Sequence, residues 1–420
     1  MKFALAMHGS RGDVEPCAAV GAELQRRGHD VRIAVPPNFV GLAESAGLTA
    51  SAYGPDSREL LDDDFRRTYR TMSPLGFVRG FKEYVSRGWA DMSATLASLA
   101  DGADAVLTGT IYLGVAANVA EHHDIPLAVL HYFPSRPNSH LAPMLPAPLI
   151  RAGTSAVWWL YWRMTKEADD TQRRVLGLPK ATGSLSRRIL QCGALEIQAY
   201  DELCFPGLAD EWAGRWPFVG ALTLQLPTDD DDEVRSWIAA GTPPVYFGFG
   251  SMPVRSAAET VAMISAACAQ LGERALVCCG ATEFAGIPDV DHVKVVGAVN
   301  HAAVFPACRA VVHHGGAGTT AAGLRAGIPA LILHVTSDQP LWANVVKRLK
   351  VGSGQRFSRT TEKSLVAGLR TILAPHYAER AREVATRMTE PGVSAATAAD
   401  LLEEHARLRR FGCSAAGTTG

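Results

Sequence analysis

Arg309-Ala310-Val311-Val312-His313-His314-Gly315-Gly316-Ala317-Gly318-Thr319-Thr320 is the stretch that decides the fold. Its apolar, β-branched start reads as a buried strand, and the helical pattern that follows stops near Gly327-Ile328-Pro329. Between them lies a glycine loop at a strand's end and a helix's start. There Gly316 and Gly318 let backbone N–H groups approach an anion, and the helix dipole favours negative charge. Glycines alone fit a tight packing turn equally well. The His314 imidazole and the Thr319 and Thr320 hydroxyls add side-chain donors at the same point. Hydrogen bonds to a charged oxygen contribute roughly 1.5–3 kcal/mol each, so a few such donors hold a diphosphate.

One strand later (residues 330–333) comes Asp338-Gln339-Pro340, then Trp342-Ala343-Asn344, on the same carboxyl edge. Open α/β sheets bind ligands at that edge. Alone, Asp338-Gln339 reads as a helix cap. Placed here, a carboxylate beside an amide accepts from and donates to vicinal hydroxyls, which a hexose presents.

The strand–helix rhythm extends in both directions. Upstream, residues 245–247 lead into Gly248-Phe249-Gly250-Ser251 and a helix over 256–271, with strands at 275–278, 293–296 and 310–312. In the first half, a strand at 3–7 breaks at Gly9-Ser10-Arg11-Gly12-Asp13. A helix over 14–27 follows, with Pro16 in its first turn and Gly28 as its stop. Then come a strand at 31–35, a short helix at 39–46 and strands at 105–107 and 127–130. Apolar runs without polar alternation, separated by helices, indicate parallel sheets covered on both faces. The restart after residue 240 indicates two such sheets.

The expected organisation is a domain over 1–220, a linker over 221–242, a second domain over 243–375, C-terminal helices over 376–410 and a disordered tail over 411–420. The acidic run Asp229-Asp230-Asp231-Asp232-Glu233 reads as a solvated linker opening a helix, where acids suit the dipole, and not as a metal site.

Composition agrees. At about 150 residues per domain, 420 residues suggest two or three. With 41 Lys+Arg against 42 Asp+Glu the net charge is −1, which argues against a large nucleic-acid face. Apolar residues at 47% exclude a largely disordered chain. The longest apolar stretches, such as 156–162, fall far short of the ~20 residues of a membrane-spanning helix. The short apolar run after Met1-Lys2 predicts no export signal, and eight cysteines without a CxxC spacing predict reduced thiols in the cytoplasm.

Together these motifs resemble the nucleotide-sugar-dependent glycosyltransferases of the GT-B fold. The nearest groups are the sterol, glycopeptide-antibiotic and actinobacterial glycolipid enzymes. The resemblance rests on 313–320, on Asp338-Gln339-Pro340-x-Trp342-Ala343-Asn344 and on Gly9-Ser10-Arg11-Gly12-Asp13-Val14-Glu15-Pro16, and it spans residues 2 to about 410. It implies two Rossmann-like domains facing a central cleft, an N-terminal one for the acceptor and a C-terminal one for the donor, with the last helix crossing back to the first. The reaction implied is inverting transfer of a hexose or deoxyhexose from a UDP- or dTDP-sugar to a hydroxyl of an apolar acceptor, without metal or other cofactor. His314 and Thr319 would hold the donor diphosphate together with Ser251, Gly316, Gly318 and Thr320, while Asp338 and Gln339 would hold the sugar. Many relatives place a Trp before the glycine loop to stack on the base. This stretch reads Gly297-Ala298-Val299-Asn300-His301, which leaves backbone contact at Val299 and both bases open.

The N-terminal loop would supply the base. An inverting transfer needs one group to take the acceptor's proton, and a positioned base is worth about 10²–10⁴ in rate. Spacing alone lets Asp13 cap a helix starting at Val14. The resemblance puts it at the base position, with His8 as second choice, as its partner or as a loop-shaping residue. Arg11 meets an anionic acceptor group or only solvent. Trp158-Trp159-Leu160-Tyr161-Trp162 suits core packing, an acceptor groove through Trp159 and Trp162, or a membrane-surface contact. Partners expected are the sugar nucleotide and a hydrophobic small-molecule or lipid acceptor, with no nucleic acid, the chain being a monomer or homodimer.

Rival readings are weaker. Asp62-Asp63-Asp64 matches a DxD metal signature without its context. An NAD-type oxidoreductase would want Gly-x-Gly-x-x-Gly and an acid ending strand two, where Pro36-Pro37 stand. A two-lobed sugar-binding protein would want an export signal. A nucleotide-sugar epimerase shares the fold.

Overall fold

The computed structural model describes residues 1–59, 83, 86–141, 146–228, 230–250, 257–279, 290–335 and 338–410. Asp62-Asp63-Asp64, Ser251 and the tail from 411 lie outside the described residues. The chain divides into two compact units, one of residues 1–202, 206–224 and 391–420, the other of 203–205 and 225–390.

In the first unit six parallel strands form one sheet: β1 (Lys2–Ala6), β2 (Asp30–Val35), β3 (Thr49–Ala52), β4 (Ala105–Thr108), β5 (Leu127–His131) and β6 (Leu195–Gln198). Their spatial order is β3-β2-β1-β4-β5-β6, with Ala4 paired to Arg32 on one side and to Val106 on the other. The second sheet uses β7 (Val245–Gly248), β8 (Ala275–Cys278), β9 (Val293–Val296), β10 (Ala310–His313), β11 (Ala330–His334) and β12 (Gly352–Arg356) in the order β12-β11-β10-β7-β8-β9. Numbered within its own unit, each sheet has the dinucleotide-fold order 3-2-1-4-5-6. The order reverses between β1 and β4 in one and between β7 and β10 in the other. In open α/β sheets such a reversal is where ligands bind.

The strands are buried because their apolar side chains have helices on both faces. Ala4, Leu5, Ala6, Val106 and Val129 are buried in the first sheet, and Val245, Phe247, Val312 and Leu331 in the second. Helix α1 (Arg11–Arg26) sets Val14, Cys17, Ala18, Val20 and Leu24 against the first core. Helix α2 (Ala147–Val175) is long and mostly exposed in its first half. In the second unit α3 (Ala317–Arg325) and α4 (Gln339–Arg348) follow β10 and β11. Among the described residues no helix is long and apolar enough to cross a membrane.

Three strands escape the sequence reading: β3, β6 and β12. β3 is a largely exposed edge strand, β6 buries Glu196 and Gln198, and β12 is Gly-Ser-Gly-Gln-Arg. None has the apolar run that marks a buried strand. Helix α1 starts at Arg11, not Val14, so Pro16 stands in its second turn. The chain-terminal helices also part company. Pro375–Ala385 stays with the second unit, while α5 (Pro391–Arg410) packs on α1 of the first. Arg27 joins that last helix to the first unit through Asp400 (2.6 Å) and Glu403 (3.1 Å), and His29 pairs with Glu403 (3.0 Å).

Candidate active site

At the end of β10 two adjacent histidines take different places. His313 is fully buried, and its Nδ1 accepts the Gly315 N–H at 3.1 Å. Burial, with His314 and His301 nearby, holds its pKa well below the usual imidazole range, so it is neutral. His314 is half-buried, and burial, opposed by a weaker interaction with the Gly248 backbone, lowers its pKa to about 4. Its ring lies between two glycines. A Cβ on Gly250 would stand 3.0 Å from Cε1 and one on Gly316 2.6 Å from Nε2. Those glycines let the loops after β7 and β10, the two strands flanking the reversal, close on one imidazole. Nδ1 is buried with no hydrogen-bond partner among the described residues.

Helix α3 begins beside this ring. Its first intrahelical bond is the Thr320 N–H to the Gly316 C=O at 2.9 Å. The N–H groups of Ala317, Gly318 and Thr319 therefore precede the helix ladder, where a helix N-terminus offers them to an anion. Thr319 is half-buried in this first turn. The Thr320 hydroxyl turns inward instead, donating to the Gly316 C=O at 2.8 Å, so its proton serves the helix.

Val299 is buried in a loop whose backbone is tied to the acidic run. Asp231 accepts the Asn300 N–H (2.8 Å), the Thr228 N–H (2.8 Å) and the Thr228 hydroxyl (2.7 Å). Asp230 accepts the Gly297 N–H at 3.1 Å. The run opens a helix over Asp231–Ala239 with Asp232 and Glu233 exposed, as expected, but the reading of it as solvated is corrected at Asp231. Asp231 is buried, and these donors hold its carboxyl below the ordinary carboxylate range despite burial. Composition hid it, because a run of acids has no apolar signal to mark the buried member.

Asp338 and Gln339 open α4. Asp338 Oδ2 accepts the Trp342 indole N–H at 3.0 Å, and Gln339 Oε1 accepts the Val335 N–H at 2.8 Å. A Cβ on Gly315 would lie 3.2 Å from the Cβ of Gln339, so the glycine loop and the start of α4 are packed together. His314, the first turn of α3, Asp338 and Gln339 thus share one edge of the second sheet.

In the first unit, the loop after β1 carries His8, and Asp13 follows it. Asp13 does not precede α1 but stands in its first turn, and its Oδ2 accepts the Ser10 N–H (2.7 Å) and the Ser10 hydroxyl (2.9 Å). A Cβ on Gly9, whose φ is +138°, would lie 2.4 Å from that oxygen, so only glycine fits. Tyr132, at the end of β5, donates its hydroxyl to the Asp13 C=O at 2.9 Å. His8 is buried, donates from Nε2 to the Pro55 C=O (3.1 Å) and meets Tyr112 edge-on at 5.1 Å. Burial lowers its pKa, and its Nδ1 has no hydrogen-bond partner among the described residues, so the ring packs the loop.

Arg11 is exposed and pairs with Glu15 at 2.9 Å. On α2, Trp162 packs on the edge of the first core, with the Lys166 ammonium 5.8 Å from its ring centroid. Trp159 is exposed together with Leu149, Val157 and Leu160. Trp158, the first residue of the aromatic cluster, donates to the Ser135 C=O at 2.7 Å and lies under the Arg136 guanidinium.

Comparisons with known proteins bear on this arrangement. Residues 3–140 match the glycosyltransferase family 28 N-terminal domain, and residues 280–405 match the C-terminal domain of erythromycin biosynthesis protein CIII-like proteins. The chain is 63% identical to the "uncharacterized glycosyltransferase Rv1524" of Mycobacterium tuberculosis, over 98% of this chain and 100% of that one. It is 29% identical to the sterol 3-beta-glucosyltransferase UGT80B1 of Arabidopsis thaliana, over 94% of this chain and 67% of that one. The solved structure of the glycosyltransferase VinC in complex with dTDP matches with a TM-score of 0.64 at 19% identity, over 98% of this chain and 100% of that one, which is a likeness of fold.

Proposed function

This chain belongs to the GT-B glycosyltransferases of the antibiotic and sterol type, and from that membership we propose that it transfers a hexose or deoxyhexose, with inversion, from a UDP- or dTDP-sugar to a hydroxyl of an apolar acceptor. The observation that carries the reading is His314, wedged between Gly250 and Gly316 beside the first turn of α3. With a pKa of about 4 the imidazole is neutral near pH 7, and with the N–H groups of 317–319 it forms a donor set shaped for a diphosphate. Asp338 and Gln339, on the same edge, take the sugar hydroxyls, and the Val299 backbone meets the base.

In the proposed step the acceptor oxygen attacks the anomeric carbon from the face opposite the diphosphate. Its proton passes to the Asp13 carboxylate, which Ser10 orients through Oδ2. The new C–O bond forms as the bond to the diphosphate breaks, and the diphosphate leaves with the electron pair. Its growing charge is met by donors fixed in advance, the arrangement that stabilises a transition state most. We read the step as metal-free.

The apolar acceptor class draws support from the sterol-glucosylating relative and from the exposed Leu149, Val157, Trp159 and Leu160 on α2. The test is calorimetric titration with UDP, dTDP and GDP, then an acceptor screen with the preferred donor and assignment of the product anomer by NMR. Retained anomeric configuration would sink the inverting step. Failure of all three nucleotides to bind would sink the donor site.

A further inference from the structure

We infer that Phe205 is a positioning residue for the donor sugar, setting through Trp342 the rotation of the Asp338 carboxylate. The inference rests on the reading of Asp338 as a sugar ligand. Residues 203–205 belong to the second unit, although the chain on either side of them belongs to the first. Phe205 is wholly buried and meets the ring of Trp342, itself 2% exposed, edge-on at 5.7 Å between centroids. Helix α4 grips the segment at a second point. The Arg348 guanidinium lies 5.7 Å from the Phe205 ring centroid, and its Nη2 donates to the Cys204 C=O.

Trp342 is also tied to the start of α4. Its Nε1–H donates to Asp338 Oδ2 at 3.0 Å, one helical turn back. The terminal torsion of an aspartate is broad and two-fold, so the backbone does not fix where its oxygens point. The indole N–H restrains it while the indole keeps the rotamer that aims Nε1 at Oδ2. Phe205 packs edge-on against that ring and so bears on which rotamer it keeps. Discrimination between hydroxyl epimers needs such a fixed carboxylate, because a site built to bond one hydroxyl rejects an analogue that leaves its polar atoms unpaired. Gln339 is held separately, through Val335, so its part of the site does not depend on Phe205.

The test uses the full chain and calorimetric binding of UDP-glucose, UDP-galactose, the two dTDP counterparts, and UDP and dTDP alone. Trp342→Phe keeps a ring but loses the N–H; Phe205→Leu keeps an apolar side chain but loses the edge contact. Both are expected to weaken the preferred sugar nucleotide about 5- to 30-fold, to cut its preference over the 4-epimer, and to leave UDP and dTDP within about twofold of the parent. Adding Asp338→Asn to Trp342→Phe is expected to cost nothing further, and Phe205→Tyr to restore most of the preference. If Asp338→Asn weakens the donor while Trp342→Phe and Phe205→Leu leave affinity and epimer preference unchanged, Phe205 has no positioning role. If Asp338→Asn itself changes nothing, or the parent binds no sugar nucleotide more tightly than the bare nucleotide, the sugar reading of Asp338 fails and the inference with it. A uniform loss across bare and sugar nucleotides marks a structural effect and likewise overturns it.

Discussion

Asp231 Oδ1 accepts the Asn300 N–H at 2.8 Å, so a carboxylate from the start of one helix fixes the backbone of the loop that carries Val299. In the proposed reading, with no aromatic at 297–300, recognition of the base falls to backbone groups, and backbone groups recognise only as well as they are held. Asp231→Asn removes the charge that three donors share. It is expected to weaken UDP and dTDP about tenfold, or about 1.4 kcal/mol, while epimer preference at the sugar stays as it was. Calorimetry on the four sugar nucleotides separates the two effects. Unchanged nucleotide affinity would show that this loop does not meet the base.

His314 and Gly316 form one device and are best tested together. His314→Ala removes an imidazole donor and is expected to weaken UDP or dTDP at least tenfold. Gly316→Ala keeps the imidazole but sets a Cβ 2.6 Å from its Nε2, and is expected to weaken the nucleotide to a similar degree by displacing the ring. A Gly316→Ala chain that binds nucleotide at parental affinity would rule out the wedge as the source of the donor geometry.

The same ring makes stability depend on pH. Its pKa is about 4 folded against about 6.5 for a free imidazole, so between those values the unfolded chain binds the extra proton. The stabilisation is complete above pH ~6.5 and is lost as pH falls toward 4, on the order of 1–3 kcal/mol in all. Chemical denaturation of the parent and His314→Gln across pH 4–7 checks this. The variant is expected to lose less stability over that window, and equal slopes would contradict the assignment.

Asp13→Asn tests the base. The amide oxygen can still accept from Ser10, so the start of α1 is expected to survive, while the group that takes the proton is gone. Donor binding should stay at the parental value and kcat should fall about 10²- to 10⁴-fold. Full activity in the variant would remove Asp13 from the chemistry.

Legibility in the sequence followed hydrophobicity and glycine. The strands with continuous apolar runs, β1 and β10 above all, announce both sheets, and the glycines at 315–318 announce the ligand edge. What stayed hidden was set by partners distant in the chain. Nothing in 203–205 says that Phe205 meets Trp342, and nothing in an acidic run says that Asp231 is the buried one. The start of α1 was misplaced because Pro16 suits a first turn, whereas Ser10 and Asp13 close the cap earlier by a side-chain bond that spacing does not reveal.

Strand β6 shows the same limit energetically and gives the last prediction. Glu196 is buried beside β5, and its Oε2 accepts both His131 Nε2–H (2.8 Å) and Arg136 Nε–H (2.5 Å). The Ser135 hydroxyl donates to the other nitrogen of His131 at 2.7 Å, which fixes the tautomer. Burial lowers the pKa of His131 although Glu196 opposes it, so Arg136 carries the balancing positive charge. Glu196→Gln leaves that guanidinium, 2% exposed, buried without its counter-charge. Breaking a buried pair from one side costs about 3–5 kcal/mol, which for a unit of this size lowers Tm by on the order of 10 °C. Replacing both partners, as Glu196→Gln with Arg136→Met, is expected to recover at least half of the loss, because the uncompensated charge is gone. Thermal unfolding of the three chains measures it. A loss below about 1 kcal/mol in Glu196→Gln, or no recovery in the double variant, would show that the pair is not what holds the loop after β5.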